Sequence, residues 1–379
     1  MIDRAREQAL QDAAMAALRR GDAAAAHATL GTMADPPAML LAQACNRMGD
    51  LGGEQAALRR ILDTEPRNLP ALLAMGRNAQ ARDDERGASV WFRAALAQAA
   101  ATGAPPAMQP LLDKAQAAVA QASRRFEDHL SAAIADLPPL PRIAQATDLL
   151  LGKNQLYLQQ PSMFYFPGLP QRAFYEREEF DWVSAMEAMT GAMVAELAAV
   201  RADAPDFAPY VQTPTDRPAP NNPLRDDPSW GAFHFWQGGA VVAENAARCP
   251  AVMAALALAP RPVIAGRSPM ALWSLLKPGT HIAAHHGMLN TRLICHLPLV
   301  VSDDCALRVG AQTRAWEPGK MLIFDDSIEH EAWNRGRETR VVLLFEIWRP
   351  EIAFEEREAL ARLFEAIDTF GPQQIDTGG

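Results

Sequence analysis

The sequence has little of several features that would mark particular classes of protein. Its 379 residues include four cysteines, Cys45, Cys249, Cys295 and Cys305, and no two of them form a CxxC pair. This argues against a disulfide framework or a cysteine-rich metal site, so we expect free thiols in a reducing compartment. The net charge is −9 at pH 7, and an acidic chain is not expected to have a general affinity for nucleic acid or anionic membranes.

Long apolar runs are also missing. The best candidate, residues 251–263, falls short of the roughly 20 residues needed to cross a bilayer, and Pro260, Arg261 and Pro262 interrupt it. The N-terminal residues lack the apolar core of a secretion signal. We therefore expect a cytoplasmic protein. A length of 379 residues with 49% apolar content allows two or three domains with sizeable cores.

The first part of the chain is rich in alanine and repeats a helical pattern. Residues 35–68 and 69–100 each have the spacing of a helix pair, and a fragment of a third unit begins at Gly21. Small residues at Gly76 and Ala88 would let two antiparallel helices approach closely. The pattern resembles the 34-residue tetratricopeptide (TPR) repeat, and a helical bundle without repeat ancestry is the alternative. We predict a TPR-like domain over residues 1–140, with a capping or linker helix at 108–135.

The second part has a different character. The proline-rich stretch 137–141 breaks helix, so we place a linker at 141–160, with one more helix at 142–160. A helix is predicted at 180–200 and a proline-rich loop at 204–228. From residue 233 onward, short apolar runs alternate with glycine, proline and aspartate, which predicts an antiparallel sandwich or barrel within a domain of residues 161–355. Residues 356–379 are predicted to form a C-terminal helix and a loose tail, with the tail at 371–379.

Two histidines in this second part are the strongest candidates for a functional site. His285 and His330 each lie in a segment with β character. Iron(II) in oxygenases takes imidazole and oxygen ligands and leaves positions open for other molecules. The usual ligand set of such iron centres, a facial triad, adds a carboxylate two places after the first histidine. Here Gly287 stands at that place, so the carboxylate is missing. Taken alone, two such histidines favour a hydrogen-bonded structural role.

The neighbouring polar residues favour a site. Arg340 opens an apolar strand, where a charge is costly unless an anion meets it, and a guanidinium can grip a carboxylate with two hydrogen bonds. By two-residue alternation, Arg292, Ile294 and His296 share one strand face. Ser274, between apolar residues, could donate a hydroxyl to the same cavity.

These segments resemble the aspartyl/asparaginyl β-hydroxylases. The resemblance covers roughly residues 160–355 and is strongest in the runs around Pro278-Gly279-Thr280-His281, His296-Leu297-Pro298-Leu299 and 324–333, a stretch of the form FDDSxEHE. It implies a double-stranded β-helix (jelly-roll or cupin-like) domain and, with the helical part, an α+β multidomain chain. It also implies iron(II) and 2-oxoglutarate as cofactor and co-substrate. The reaction would hydroxylate the β-carbon of an aspartyl or asparaginyl residue in a peptide or protein and release succinate.

The resemblance also implies roles for individual residues. His285 and His330 would hold the iron, and Gly287 fits a family that lacks the third carboxylate ligand. Arg340 and Ser274 would bind the distal carboxylate of 2-oxoglutarate. The metal-side carboxylate would contact His296, and Trp236 would line the same pocket.

One departure from the family pattern concerns the wall of this pocket. Better-known members have an arginine two residues before the histidine aligned with His296, where this chain has Ile294. Arg292 is then a candidate to take over that contact. The same members have a cysteine pair where only Cys249 remains, so no disulfide is expected there.

Three other functions stay open at this point. The domain could hydroxylate a lipid acyl chain or a carrier-bound amino acid. It could be non-catalytic, with the helical repeats acting as an adaptor. In the catalytic reading, the same repeats would recruit or orient the peptide or protein substrate. The histidines could bind structural zinc, although such sites usually have four protein ligands.

Overall fold

A computed structural model describes residues 4–203, 207–214, 218 and 221–370. The chain divides into two compact units, Met1–Leu151 and Gly152–Gly379, and this division falls within the predicted linker at 141–160. No helix in the described ranges is long and apolar enough to span a membrane.

The first unit consists of helices that follow one another along the chain. Beside a short 3-10 helix at Pro106–Met108, its helices are α1 (Arg4–Arg19), α2 (Ala23–Gly31), α3 (Ala38–Met48), α4 (Leu51–Thr64), α5 (Leu69–Ala81), α6 (Glu85–Thr102), α7 (Gln109–Ala133) and α8 (Pro141–Leu150). The predicted helix at 142–160 is wrong in its second half, because turns replace the helix from Leu151 onward.

Side chains at the helix starts explain where these helices begin. Asp22, Asp50, Asn68 and Asp84 precede α2, α4, α5 and α6, and each accepts a hydrogen bond from the backbone N–H three residues later. Such a cap satisfies one of the N–H groups that a helix start leaves unpaired. Because each helix from α1 to α6 packs on the one that follows it, the unit is built as successive hairpins. Its descent from TPR repeats stays a prediction.

Gly76 determines how closely α5 and α6 approach. The ring of Phe92 lies against the backbone of Gly76, and a methyl group at this position would overlap the ring. The prediction that Gly76 permits close packing is therefore confirmed, and Ala88 on the facing helix is also buried.

The second unit contains two antiparallel sheets and five longer helices among its described residues. Its helices are α9 (Val183–Ala188), α10 (Thr190–Asp203), α11 (Ala243–Arg248), α12 (Pro250–Leu256) and α13 (Phe354–Phe370), with a 3-10 turn at Arg177–Glu179. Its strands are β1 (Phe174–Tyr175), β2 (Ala208–Pro209), β3 (Trp230–Gln237), β4 (Ala240–Val241), β5 (Ala271–Leu276), β6 (Thr280–His285), β7 (Arg292–Val300), β8 (Cys305–Val309), β9 (Gln312–Ala315), β10 (Leu322–Phe324), β11 (His330–Asn334) and β12 (Arg340–Trp348).

The strand order identifies the architecture. The larger sheet has the order β1-β10-β7-β12-β5-β3-β2, with β4 paired to β3, and the smaller sheet has the order β6-β11-β8-β9. From β5 to β12 the chain passes repeatedly between the two sheets, as in a jelly roll. The predicted fold class, a helical region followed by a double-stranded β-helix, is confirmed.

Alternation along the strands separates two apolar cores. Trp273, Leu343 and Phe345 face one side of the larger sheet, where α9, α10 and α12 contribute to the core. Leu272 and Leu344 face the other side, toward the smaller sheet. Because side chains of a strand alternate between its faces, β5, β7 and β12 line the space between the sheets with every second residue.

Some predicted elements of this unit are wrong or cannot be compared. The helix predicted at 180–200 is two helices, and between them the Thr190 hydroxyl bonds to the Glu187 carbonyl at 2.6 Å, a side-chain bond that competes with helix hydrogen bonding. Of the predicted loop at 204–228, residues 204–206, 215–217 and 219–220 lie outside the described residues. The predicted tail at 371–379 lies outside them as well.

A buried ion pair fixes the connection between β10 and β11. Arg349 and Asp325 are both fully buried, and Nη1 of the arginine lies 2.6 Å from Oδ2 of the carboxylate. Gln159 donates to the same oxygen at 2.6 Å, and Ser327 donates its N–H and hydroxyl to the other one. The segment that leads into His330 is therefore held by several hydrogen bonds on one carboxylate.

Replacing Gly76 tests the packing of α5 on α6. We expect Gly76→Ala to lower the free energy of unfolding by about 1–3 kcal/mol, because the methyl group forces Phe92 out of its position. Thermal unfolding followed by far-UV circular dichroism measures the change. Gly31→Ala is the matched control, since Gly31 is also helical and has open space around it. Equal effects of the two substitutions would contradict the proposed close packing.

Removing the buried carboxylate tests the connection before β11. Asp325→Ala leaves Arg349 buried without its partner, which typically costs about 3–5 kcal/mol. Denaturant unfolding followed by tryptophan fluorescence measures the loss. The control is Glu358→Ala, which breaks the exposed Glu358–Arg362 pair and should cost less than about 1 kcal/mol. A small effect at Asp325 would show that the network does not stabilise the fold.

Candidate active site

A cavity of about 90 Å³ lies between the two sheets of the β-helix. A space of roughly 10–15 Å³ by the same measure holds one water molecule, so this cavity admits a ligand of several heavy atoms. Its polar lining comprises Ser274, His285, Arg292, His296, Asp326, His330 and Arg340. Its apolar lining includes Trp230, Met270, Ile282, Met288, Ile294, Leu307, Phe324 and Leu344.

The two predicted histidines meet across a pair of strands. His330 opens β11 and is the direct partner of His285 at the end of β6. Their ring centroids are 4.1 Å apart. The register shifts immediately after His330, and such irregularities re-aim side chains at functional sites. Sequence positions 45 residues apart thus become neighbours in the cavity.

Backbone carbonyl groups orient both imidazole rings. Nδ1 of His285 lies 2.8 Å from the Ala283 oxygen, and Nδ1 of His330 lies 3.1 Å from the Ile328 oxygen. Because a carbonyl oxygen only accepts, each Nδ1 must carry the proton. Nε2 of each ring then keeps its lone pair, which is the arrangement of a metal-binding histidine.

Burial keeps these rings neutral. It lowers the pKa of His285, and burial together with the nearby His285 lowers the pKa of His330 to about 3. Burial, with Arg340 close by, also lowers the pKa of His296 well below its usual value. At neutral pH all three imidazoles are therefore available as lone-pair donors or neutral hydrogen-bonding groups.

The carboxylate of Asp326 lies where a side chain at Gly287 would otherwise lie. A side chain at Gly287 would overlap the carboxylate of Asp326, and the Gly287 N–H donates to the Asp326 carbonyl at 2.6 Å. Burial raises the pKa of Asp326 to about 6, while the Arg292 guanidinium opposes this shift. Sequence reasoning missed Asp326. Its neighbour Asp325 is also an aspartate but points into the Arg349 network, and the local sequence does not distinguish the two.

Arg340 forms the floor of the cavity and has an unusual environment for an arginine. It is almost fully buried, its Nη1 lies 3.2–3.3 Å from the carbonyl and hydroxyl oxygens of Ser274, and its guanidinium lies over the Trp316 ring. No carboxylate of the described residues forms an ion pair with it, and its Nε has no hydrogen-bond partner among them. Burial lowers its pKa to about 10, so it remains charged at neutral pH.

Trp230, and not Trp236, lines this cavity. The indole N–H of Trp230 donates to the Ser274 hydroxyl at 3.2 Å, and Tyr210 stacks on the same indole at 4.1 Å between ring centroids. The prediction for Trp236 is corrected: a bulge between His234 and Trp236 turns this side chain to the core on the other face of the sheet. There its ring lies under the guanidinium of Arg261.

Arg292 reaches the cavity but is already paired. Its Nη1 lies 2.7 Å from Oε2 of Glu346, and its Nη2 lies 3.3 Å from Oδ2 of Asp326. Glu346 is fully buried and also accepts the Met270 N–H at 2.9 Å. Sequence reasoning missed Glu346, although it lies on the same face of β12 as Arg340, six residues away.

The family-model comparison matches this part of the chain. Residues 188–350 match the model described as aspartyl/asparaginyl beta-hydroxylase. This match comprises β2 to β12 and therefore every residue of the predicted site.

Curated relatives agree with the match. The chain is 37% identical over 138 residues to a mouse aspartyl/asparaginyl beta-hydroxylase, covering 36% of this chain and 18% of that protein. It is 30% identical over 218 residues to mouse aspartate beta-hydroxylase domain-containing protein 2, covering 56% and 61%. It is 34% identical over 179 residues to an ornithine lipid ester-linked acyl 2-hydroxylase of Rhizobium tropici, covering 46% and 60%. The matched regions span less than two thirds of each of these relatives.

Solved structures show a weaker likeness. A cupin 2 conserved barrel domain protein from Salinispora arenicola is 11% identical with a TM-score of 0.22, covering 35% of this chain and 84% of that one. At such a score the likeness is local, and the β-helix follows from the strand order of this protein itself. The resemblance of its β domain to the aspartyl/asparaginyl β-hydroxylase family, predicted from the sequence, is confirmed by the family model and the curated relatives.

Proposed function

We propose that the protein is an iron(II)- and 2-oxoglutarate-dependent dioxygenase that hydroxylates the β-carbon of an aspartyl or asparaginyl residue in a peptide or protein. The observation that carries this proposal is one cavity with two kinds of binding group. It holds two facing imidazoles whose Nε2 atoms keep their lone pairs, and a buried arginine without a carboxylate partner among the described residues.

The imidazoles fit a metal centre with few protein ligands. His285 and His330 would hold the iron, and Gly287 supplies no carboxylate ligand beside them because the Asp326 carboxylate lies where its side chain would be. Among the described residues no group of three histidine, cysteine, aspartate or glutamate side chains is arranged to hold a metal, which disfavours structural zinc with its usual four ligands. A centre with two protein ligands keeps positions open for other molecules.

The floor of the cavity fits the distal carboxylate of 2-oxoglutarate. An unpaired buried cation is costly, and a carboxylate at Arg340 would remove this cost through charge-assisted hydrogen bonds. Ser274 would add its hydroxyl, which Trp230 orients. His296, whose Nδ1 has no hydrogen-bond partner in the described part of the chain, would contact the metal-side carboxylate. Arg292 is a poorer candidate for that contact, because two carboxylates already hold it.

The bound metal and co-substrate supply the oxidation, with dioxygen giving one oxygen atom to the substrate and one to succinate as carbon dioxide is released. The protein would supply the position of each group in the cavity between its two sheets. The helical unit would recruit the peptide or protein substrate, since stacked helix pairs commonly present a binding face.

Hydroxylation of a lipid acyl chain is the second candidate function. The similarity to the acyl 2-hydroxylase and the apolar cavity walls favour it. In both reactions the carbon that receives oxygen lies next to a carbonyl group, so the same metal centre would serve either substrate. A test with peptides and acyl esters separates the two.

Succinate formation from 2-oxoglutarate tests the proposed activity directly. We expect purified protein with iron(II) and dioxygen to form succinate, and the His330→Ala variant to bind no iron and form none. Iron binding by the apoprotein is measured separately by calorimetry under anaerobic conditions. His27→Ala, in the helical unit, is the control. Absence of succinate from iron-loaded protein with candidate peptides would favour the adaptor function.

Replacing Arg340 tests the co-substrate pocket. We expect Arg340→Gln to weaken 2-oxoglutarate binding about 100-fold, because hydrogen bonds between charged groups are lost. The stability of the apoprotein should not fall, since a buried unpaired charge is removed. Calorimetric titration and thermal unfolding measure the two effects. Arg362→Gln, on the exposed face of α13, should change neither. Unchanged 2-oxoglutarate affinity in Arg340→Gln would show that the pocket is wrongly assigned.

A further inference from the structure

The charges around the cavity are nearly balanced before any ligand is considered. Among the described residues, two guanidinium groups reach it, those of Arg292 and Arg340. Arg292 is paired with two acids, Glu346 and Asp326, so its charge is already compensated. Arg340 is the other cation, and no carboxylate of the described residues pairs with it.

Arg340, the cation without an acid partner among the described residues, would be occupied by the co-substrate. If the distal carboxylate of 2-oxoglutarate binds Arg340, as proposed above, no uncompensated cation of the described lining is left for a second anionic group. The charged groups next to Arg292 are acids, and the wall beside them is apolar. Ile294 follows Arg292 on the cavity face of β7 and is the direct strand partner of Glu346. A substrate carboxylate in this part of the cavity would meet like charge and apolar surface, and both disfavour it.

One polar atom in the same region is suited to a neutral substrate group. Oδ1 of Asp326 is buried and has no hydrogen-bond partner in the described part of the chain. It can only accept a hydrogen bond when ionised. A side-chain amide can donate an N–H to it, whereas a carboxylate cannot. An aliphatic chain would leave this buried acceptor unpaired, which is costly.

From these contacts we infer that the site selects an uncharged asparaginyl side chain and rejects an aspartyl one. The inference rests on the proposed function and narrows its substrate. The overall reaction converts the asparaginyl methylene, 2-oxoglutarate and dioxygen to the β-hydroxy-asparaginyl residue, succinate and carbon dioxide. The C–H bond and the oxidative decarboxylation each supply two electrons, so dioxygen is fully reduced.

Two peptide libraries test the selectivity. They have the same degenerate flanking residues and differ only in a central asparagine or aspartate. Mass spectrometry detects the gain of one oxygen, and succinate is measured in the same reactions. We expect kcat/KM for asparaginyl peptides to exceed that for aspartyl peptides about 100-fold, since like charges brought together in an interface cost several kcal/mol. Binding to protein loaded with zinc and 2-oxoglutarate, which does not turn over, should show the same order of affinity.

The outcomes separate this inference from the proposed function. Equal or faster oxygen gain by aspartyl peptides overturns the inference alone. The inference is also overturned if succinate forms but neither peptide library gains oxygen. The same holds if only an ester-linked acyl chain, offered in parallel, gains oxygen. Absence of succinate under all conditions overturns the proposed function, and the inference falls with it.

Two substitutions test the charge balance itself. Glu346→Gln keeps the shape and the acceptor for the Met270 N–H but releases one unit of positive charge at Arg292. Ile294→Arg adds a cation on the same wall, and Ile294→Met is its matched neutral control. We expect Glu346→Gln and Ile294→Arg each to reduce the ratio of kcat/KM for asparaginyl over aspartyl peptides at least about tenfold. Ile294→Met should keep this ratio. Either variant carries the test if the other does not fold. An unchanged preference in a folded variant overturns the charge argument.

Discussion

The antiparallel pairing of β6 with β11 is the constraint on which the site depends. It makes His285 and His330 direct partners, and the two strands have unequal support. β11 lies between β6 and β8 in the smaller sheet, while β6 lies at its edge. His330 therefore lies in a strand that pairs with a neighbouring strand on each side, and its side chain is buried. His285 ends an edge strand and lies nearer to solvent. The two imidazoles of the site therefore differ in exposure, with His330 buried and His285 partly exposed.

Three arginines of the β domain, of which Arg340 and Arg349 are buried and Arg292 is partly buried, show how environment decides the role of one residue type. Arg349 is paired with Asp325 and ties the connection before β11 to the rest of the domain. Arg292 is paired with Glu346 and Asp326 and stabilises the cavity wall. Arg340 has hydrogen bonds to Ser274 but no acid partner among the described residues. A buried charge without a partner lowers stability unless a ligand supplies the opposite charge. Among the three, Arg340 is therefore the one whose charge a bound anion would stabilise most.

The sequence was sufficient for the features that depend on local pattern or on a recognisable motif. Two-residue alternation put Arg292, Ile294 and His296 on one face, and all three line the cavity. The sequence was not sufficient where tertiary contacts or an irregular backbone determine the position of a side chain. The bulge before Trp236 moved this side chain to the opposite core, so that Trp230 supplies the indole of the pocket. The pairing of Arg292 with Glu346 depends on the register of β7 with β12, and these residues are 54 positions apart. No local pattern contains that register, so the charge state of the cavity wall could not be predicted.

The arrangement of the site before ligand binding follows from backbone contacts around its rim. The Gly287 N–H donates to the Asp326 carbonyl, and the Gly287 carbonyl accepts from the Ser162 N–H at 3.0 Å. Ser327 accepts from the Gln160 N–H at 2.7 Å. These bonds join the segments that follow His285 and precede His330 to a strand-like segment near residue 160. Backbone carbonyl groups also orient both imidazoles, so contacts within the chain hold the rings as well as the segments that carry them. In a cavity held this way, the charge of an entering group and the charges already present on the wall bear directly on how well that group binds.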